Sequence, residues 1–333
     1  MREESMAETD SKAYMPYRVG GLLYCPANNK TVAEKIVRKQ IKGLTSICFC
    51  LEDSVQDNAL AEAEGCLLTT LKTIAAAALP KEELPLLFVR IRTPLHMRKI
   101  YGAYKEVLPL LTGFVLPKFD SSNGGAYLAA IEEFNAEGNF LYVMPTLESS
   151  AVADLEERHS RLAEIKAVLD AHKRFVLNVR VGGNDFAHLF GLRRSVEQNI
   201  YQMGVIQNIL IDILNVFSRD HVVSGPVWEY FGEDESEPWA KGLQRELELD
   251  VLNGFIGKTA IHPSQLPVIY RGLQVDRGDY EDAEAILHWD SERYGVQKSD
   301  SKHRMNEVKT HTKWAQRVYI MGQIYGVRED EKA

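Results

Sequence analysis

The stretch NGFIGKTAIHPSQL, Asn253 to Leu266, admits two readings that lead to different folds. Gly257-Lys258-Thr259 ahead of a helix start suggests a phosphate-cradling loop and a nucleotide-binding sheet. A loop of that type needs a glycine five positions before Gly257, and position 252 is Leu. It should also follow an early strand, whereas GFIGKTAI (254–261) reads as the last in a long series. The stretch is therefore a closing strand, and the chain is not read as an NTPase.

Working outward, seven further apolar runs precede it: GGLLYCP (20–26), SICFCLED (46–53), LPLLFVRI (84–91), TGFVLPK (112–118), NFLYVMPTLE (139–148), RFVLNVRVGGND (174–185) and HVVSGPVW (221–228). Segments of helical periodicity separate them; in one, Met203, Ile206, Leu210, Ile213 and Phe217 recur at three and four residues. Eight strand–helix units over residues 20–273 are close to the roughly 250 residues typical of a parallel eightfold barrel. An open doubly wound sheet would carry a glycine fingerprint after its first strand, and YCPANN has none. The expected fold is α/β, a TIM (β/α)8 barrel over 18–273. A polar, disordered leader (1–17) precedes it, and a C-terminal helical extension (274–333) follows for packing, oligomerisation or lid closure.

Composition excludes several classes of function. Of 333 residues, 45% are hydrophobic and 26% charged, the balance of a soluble protein with a full core. A net charge of −8 argues against a nucleic-acid footprint, which is normally basic. No apolar run reaches the roughly 18 residues of a membrane span, and residues 1–16 do not read as a secretory signal. Cys48 and Cys50 alternate on one strand face without further ligands at zinc spacing, so the thiols are read as buried in a reducing cytoplasm.

Acids and bases concentrate at the carboxyl ends of the expected strands, where barrel enzymes build their sites. They are Glu52 and Asp53, Arg90 and Arg92, Lys118, Glu148, and Asn184 with Asp185. Several acids cannot share a face uncompensated, because repulsion and desolvation would force protonation. A hard divalent cation resolves this, and Mg²⁺ is typically held by one or two carboxylates. Glu148 and Asp185, on adjacent strands, are the expected pair. Gly182 and Gly183 are expected to give the tight turn that brings Asp185 inward. Arg90 then becomes an anchor for a substrate carboxylate.

The motifs LLYCPANN, CLEDSV, FVRIRTPL, FVLPKFD, PTLESS, VGGNDF and GFIGKTAIHPSQL occur in that order. Together they resemble the HpcH/HpaI aldolase and citrate lyase beta-subunit family over about residues 18–270. The resemblance implies a TIM barrel, a Mg²⁺-dependent carbon–carbon lyase and a homo-trimer or homo-hexamer. It places the metal on Glu148 and Asp185 and the substrate carboxylate on Arg90. Glu52 and Asp53 would support the metal's water shell, and Lys118 is the lysine of the LPK motif. Gly257, Lys258, His262 and Gln265 match the family's glycine-lysine stretch and His-Pro-x-Gln, which implies framework at the barrel's edge. Catalytic roles are thus expected for Asp53, Lys118 and Glu52, and substrate contacts for Arg90, Arg92, Gly183 and Asn184. The sequence departs from the pattern at Arg90-Ile91-Arg92, where Asn is usual at the third position, and at Glu148-Ser149-Ser150. An acid from the C-terminal segment is expected among Asp276, Asp279 and Glu307. The substrate expected is a 2-hydroxy or 2-oxo carboxylate, free or as a CoA thioester. Thioester hydrolysis or synthesis, and a non-catalytic small-acid binder, are the alternatives.

Overall fold

The computed structural model describes residues 13–289, 295–298 and 304–328. Residues 19–269 form one compact unit; the described parts of 1–18 and 270–333 form another.

The first unit is the eight-stranded barrel. Its strands are β1 (Gly21–Pro26), β2 (Ser46–Cys50), β3 (Leu86–Arg90), β4 (Gly113–Leu116), β5 (Tyr142–Leu147), β6 (Val179–Val181), β7 (Val223–Ser224) and β8 (Lys258–Ala260). They lie in the order β7-β6-β5-β4-β3-β2-β1-β8 with parallel pairing throughout. A parallel bridge between Gly225 and Lys258 joins the two ends, reinforced by Gly225 N–H donating to Gly257 O at 2.9 Å. Gly257 is needed at this seam. Its φ is +78°, and a Cβ there would lie 2.4 Å from the carbonyl oxygen of Gly20. The glycine that imitates a phosphate loop is thus a barrel-closing residue.

Helices between the strands are α1 (Val32–Val37), α2 (Leu60–Ala76), α3 (Pro94–Ala103), α4 (Ser121–Ala136), α5 (Arg158–Ala171), α6 (Gly183–Leu189), α7 (Gly204–Phe217), α8 (Pro238–Asn253) and α9 (Gln265–Gly272). On α7 the apolar stripe buries Ile206, Ile209, Leu210, Ile213, Leu214 and Phe217. The helix after β1 stops at Val37, and the Thr31 hydroxyl donates to the Asn29 side chain. One element differs from the sequence expectation. The 174–185 run holds only three strand residues, because α6 begins at Gly183. Asn184 and Asp185 therefore sit in a helix's first turn rather than on a strand.

Register fixes which side chains enter the barrel, since in-register neighbours share a face. Tyr24, Cys48 and Phe88 are one such set, Arg90, Val115 and Met144 another, and Thr146, Arg180 and Ser224 a third.

In the second unit, residues 13–18 are helical, where a disordered leader was expected, and the Tyr325 hydroxyl donates to Tyr17 O. Residues 1–12 of that leader lie outside the described residues. Helices α10 (Arg277–Leu287) and α11 (Val308–Tyr325) pack together, with a two-residue parallel pairing of β9 (Val275–Asp276) and β12 (Val327–Arg328). A hairpin joins β10 (Val296–Lys298) to β11 (Met305–Glu307). No helix among the described residues is long and apolar enough to cross a membrane.

Candidate active site

At the carboxyl ends of β2 to β5 the chain assembles one ionic cluster around Arg90. Its Nη1 lies 2.9 Å from both Glu52 Oε2 and Asp53 Oδ2, and Nη2 is 3.2 Å from Glu148 Oε1. The ring of Tyr24 lies beneath the guanidinium, 5.7 Å from its centre. Lys118 Nζ pairs with Glu52 and, at 3.3 Å, with Asp53. Its backbone completes the arrangement: φ at Lys118 is +47°, unusual for a side-chain-bearing residue, and its N–H donates to Glu148 Oε1 at 2.9 Å.

The cluster runs from the interior to solvent. The Glu148 side chain is 2% exposed, Arg90 8% and Glu52 11%, whereas Asp53 and Lys118 are half-exposed. Burial pushes the Glu148 carboxyl up to about 7; nearby Asp185 and Glu52 add to this, against Arg90 and the Lys118 N–H. Burial also raises Glu52, despite Arg90. For Asp53, burial is outweighed by its hydrogen bond with Glu52 and by Arg90 and Lys118, which hold it below the usual range. Burial opposes the charge on Lys118, but Glu52 and Asp53 hold its ammonium above the ordinary lysine value.

Glu148 spends Oε1 on Arg90 and Lys118, while Oε2 faces Gly182. A Cβ at Gly182 would lie 2.2 Å from Oε2. The expected reason for this glycine was a tight turn, yet its φ of −90° is open to any residue. What it supplies is room. Gly183 is equally constrained, since its Cβ would meet Pro226 at 2.7 Å and Ile200 at 2.8 Å.

These residues fit a divalent cation. Two cationic side chains face four carboxylates, one carboxylate oxygen is directed into a cradle that a methyl would fill, and repulsion from Asp185 already reaches Glu148. Among the described residues, no group of three or more His, Cys, Asp or Glu forms a protein-only metal cage, so such an ion would keep waters or substrate oxygens.

Glu52, Asp53, Arg90, Lys118 and Glu148 are thus brought together, with Asp185 beside them. Arg92, expected to touch substrate, is not. Its Nε donates to Leu51 O at 2.7 Å, Nη2 to Val55 O at 2.5 Å, and Nη1 pairs with Asp57, so the whole fork is spent on the loop after β2. Arg90, expected as a carboxylate anchor, has both Nη groups committed to acids of the chain. Asn184 is exposed in the first turn of α6. Of the tail acids, Asp279 pairs with Arg304 at 2.7 Å, Asp276 with Arg328 at 3.1 Å, and Glu307 accepts from Thr310 at 2.9 Å.

Lys258 behaves as the framework reading expects. Fully buried, it donates to Glu246 Oε1 at 2.9 Å and Asp250 Oδ2 at 2.6 Å. Gln265 Oε1 accepts from Ile261 N, and its Nε2 donates to Trp228 O and Tyr230 O. One polar residue escaped sequence reading altogether: Arg180, buried inside the barrel. The alternation Asn178, Arg180, Gly182 within VLNVRVGG was the available signal.

The fold, and acids and bases gathered at one end of its strands, define a barrel enzyme. Residues 13–327 match the family of C-C bond lyases of the TIM-barrel fold, and the chain belongs to that family. It is by family a carbon–carbon lyase, in agreement with the resemblance drawn from the seven motifs. Similar solved structures include the protein CitE from Mycobacterium tuberculosis in complex with magnesium, acetoacetate and coenzyme A. That protein is 21% identical over 92% of this chain and 99% of its own, with a TM-score of 0.60. The citrate lyase beta subunit from M. tuberculosis complexed with oxaloacetate and magnesium is 23% identical, covering 78% and 99%, with a TM-score of 0.51. RipC from Yersinia pestis is 17% identical, covering 77% and 95%, with a TM-score of 0.52. At these identities the likeness is one of fold. No curated protein matches the sequence.

Proposed function

We propose that the chain is a Mg²⁺-dependent lyase that cleaves or forms a carbon–carbon bond beside the carboxylate of a 2-hydroxy or 2-oxo acid. The observation that carries this reading is Glu148, buried, fixed through Oε1 and presenting Oε2 to the Gly182 cradle, with Asp185 near enough to repel it. Glu148 and Asp185 would hold the ion. When bound, it supplies Lewis-acid stabilisation of the substrate oxygen that gains charge as the bond breaks. Arg90 and the Lys118 N–H keep the Glu148 carboxylate in one orientation. Asp53, kept ionised by its neighbours and open to solvent, takes the proton of the substrate hydroxyl. Lys118 retains its own proton and sets the position of Asp53, while Glu52 links the two. Scission then leaves an oxo acid and an enolate fragment, which is protonated in turn. Arg90, Gly183 and Asn184 are assigned to the substrate side, with Arg90 sharing its charge between substrate and Glu148.

The magnesium and small oxo acids named with the Mycobacterium structures support the choice of ion and substrate class, and coenzyme A in one of them supports a thioester form. A homo-trimer or homo-hexamer, a 274–333 extension that serves packing or lid closure, and a cytoplasmic location belong to the same proposal. Calorimetry of Mg²⁺ binding tests the centre: Glu148→Gln and Asp185→Asn should each abolish it. Undiminished binding by both variants removes the assignment.

A further inference from the structure

Beneath the ionic cluster lies a buried cation that the reading above does not use. Arg180 is 1% exposed, and its Nη2 donates to Thr259 Oγ1 at 2.8 Å. Nε and Nη1 are buried with no hydrogen-bond partner among the described residues. The other deeply buried arginines of the barrel unit each hold a carboxylate: Arg90 the cluster acids, Arg158 Asp212, and Arg194 Glu246. Arg180 forms no such pair among the described residues. A guanidinium withdrawn from water without a counter-charge is strongly unfavourable, so its partner is to be sought beyond the described residues.

Its surroundings are those of a polar floor. Thr146, in register with Arg180 across β5 and β6, has a buried hydroxyl without a partner among the described residues, and the Asn178 side-chain oxygen one inward step below is likewise unpartnered among them. Thr146 precedes Glu148 by two residues, and Arg180 precedes Gly182 by two. Arg180 and Thr146 thus lie one inward-facing step beneath the Glu148–Gly182 cradle, about 7 Å along the strands. That is within the span of a small dicarboxylate. Arg90 has both Nη groups committed and only its Nε without a partner among the described residues, whereas Arg180 leaves both Nε and Nη1 unpartnered and has no carboxylate beside it.

We propose that Arg180, with Thr146, recognises a second carboxylate of the substrate, so that the acid cleaved is a dicarboxylate lying along the barrel axis. This rests on the Glu148–Asp185 reading for the substrate's other end. Arg180 keeps unpartnered N–H groups at Nε and at Nη1, on two edges of the guanidinium, so a carboxylate would be held by its charge and by a charge-assisted hydrogen bond from either edge.

Malate and lactate are suitable probes, since both are 2-hydroxy acids and differ by one carboxylate. In calorimetry with Mg²⁺ present, the wild-type protein should bind malate at least tenfold more tightly than lactate. Arg180→Met should remove that preference while leaving lactate binding unchanged. It should also melt, without ligand, at or above the wild-type temperature, because an uncompensated buried charge is gone. Equal wild-type affinity for the two acids overturns the inference, as does a preference retained by Arg180→Met. A lower melting temperature, or failure to fold, would assign Arg180 to the framework and overturn it too. A wild-type protein that binds neither acid overturns the Glu148–Asp185 reading as well. Tightening by chloride or phosphate in place of malate's second carboxylate would reassign Arg180 to an inorganic anion.

Discussion

Glu148 and Gly182 act as one device, because the carboxylate occupies the volume a side chain at 182 would need. Gly182→Ala places a methyl carbon 2.2 Å from Oε2, so the carboxylate must turn out of the cradle. Mg²⁺ affinity should fall by roughly 10- to 100-fold, the usual effect of disturbing the support of a metal ligand. Calorimetry checks this, and an affinity within twofold of wild type would show that the cradle is not used.

His96 offers a second test at the level of single residues. Its Nδ1 accepts from Arg92 N–H at 3.1 Å, which leaves the proton of the neutral ring on Nε2, facing Glu64 at 3.1 Å. Burial, together with Lys99 and Arg92, lowers its pKa below the ordinary histidine value in spite of Glu64. The folded state therefore binds this proton less readily than the unfolded chain. Stability should be full above the unfolded value of about 6.5 and fall as pH drops through it, levelling off below the folded pKa. His221, also lowered by burial, contributes in the same direction. Melting temperature measured from about pH 7.5 to 5.5 should decline, and His96→Gln should flatten part of the decline. An unchanged slope in that variant would remove His96 from the account.

Among the elements, the contact of β8 with α8 is ionic where a barrel would usually be apolar. Lys258 lies between Glu246 and Asp250, Tyr201 donates to Asp250 at 2.6 Å, and the Ile200 N–H donates to Glu246 at 2.8 Å. Removing the central cation leaves two acids buried without it. Lys258→Met should cost about 3–5 kcal/mol in urea unfolding, the range for breaking a buried pair from one side. A loss below about 1 kcal/mol would show that the acids are neutral in the fold. The same residue is fully buried and paired with two acids of the chain, in keeping with a closing strand. At the β2–α2 connection, Arg92 shows how two arginines two residues apart diverge. Arg90 still belongs to β3 and points into the barrel; Arg92 lies beyond the strand's end and caps the 51–57 loop.

For the whole molecule, an ion that binds only the folded state stabilises it by mass action. Mg²⁺ at about 100 times its dissociation constant should add about 2.7 kcal/mol, seen as a rise in melting temperature that chelation reverses. Glu148→Gln should show no such rise, and a full rise in that variant would place the ion elsewhere. The barrel was legible because eight apolar runs recur with helical segments between them, and this periodicity is a local property of the chain. Boundaries were less so. Apolar alternation does not announce where Gly183 turns strand into helix, nor that the helix after β1 ends at Val37.

The sequence by itself determined the order of the strands, the family, and the gathering of Glu52, Arg90, Lys118 and Glu148 toward the carboxyl ends, since these follow from local pattern and strand direction. Only the tertiary structure decided which charges meet. It set Arg90 against three acids, turned Arg92 away, and left Arg180 without a carboxylate beneath the site. Pairing and desolvation act through space over a few ångströms, between residues that barrel closure brings together from strands far apart in the chain.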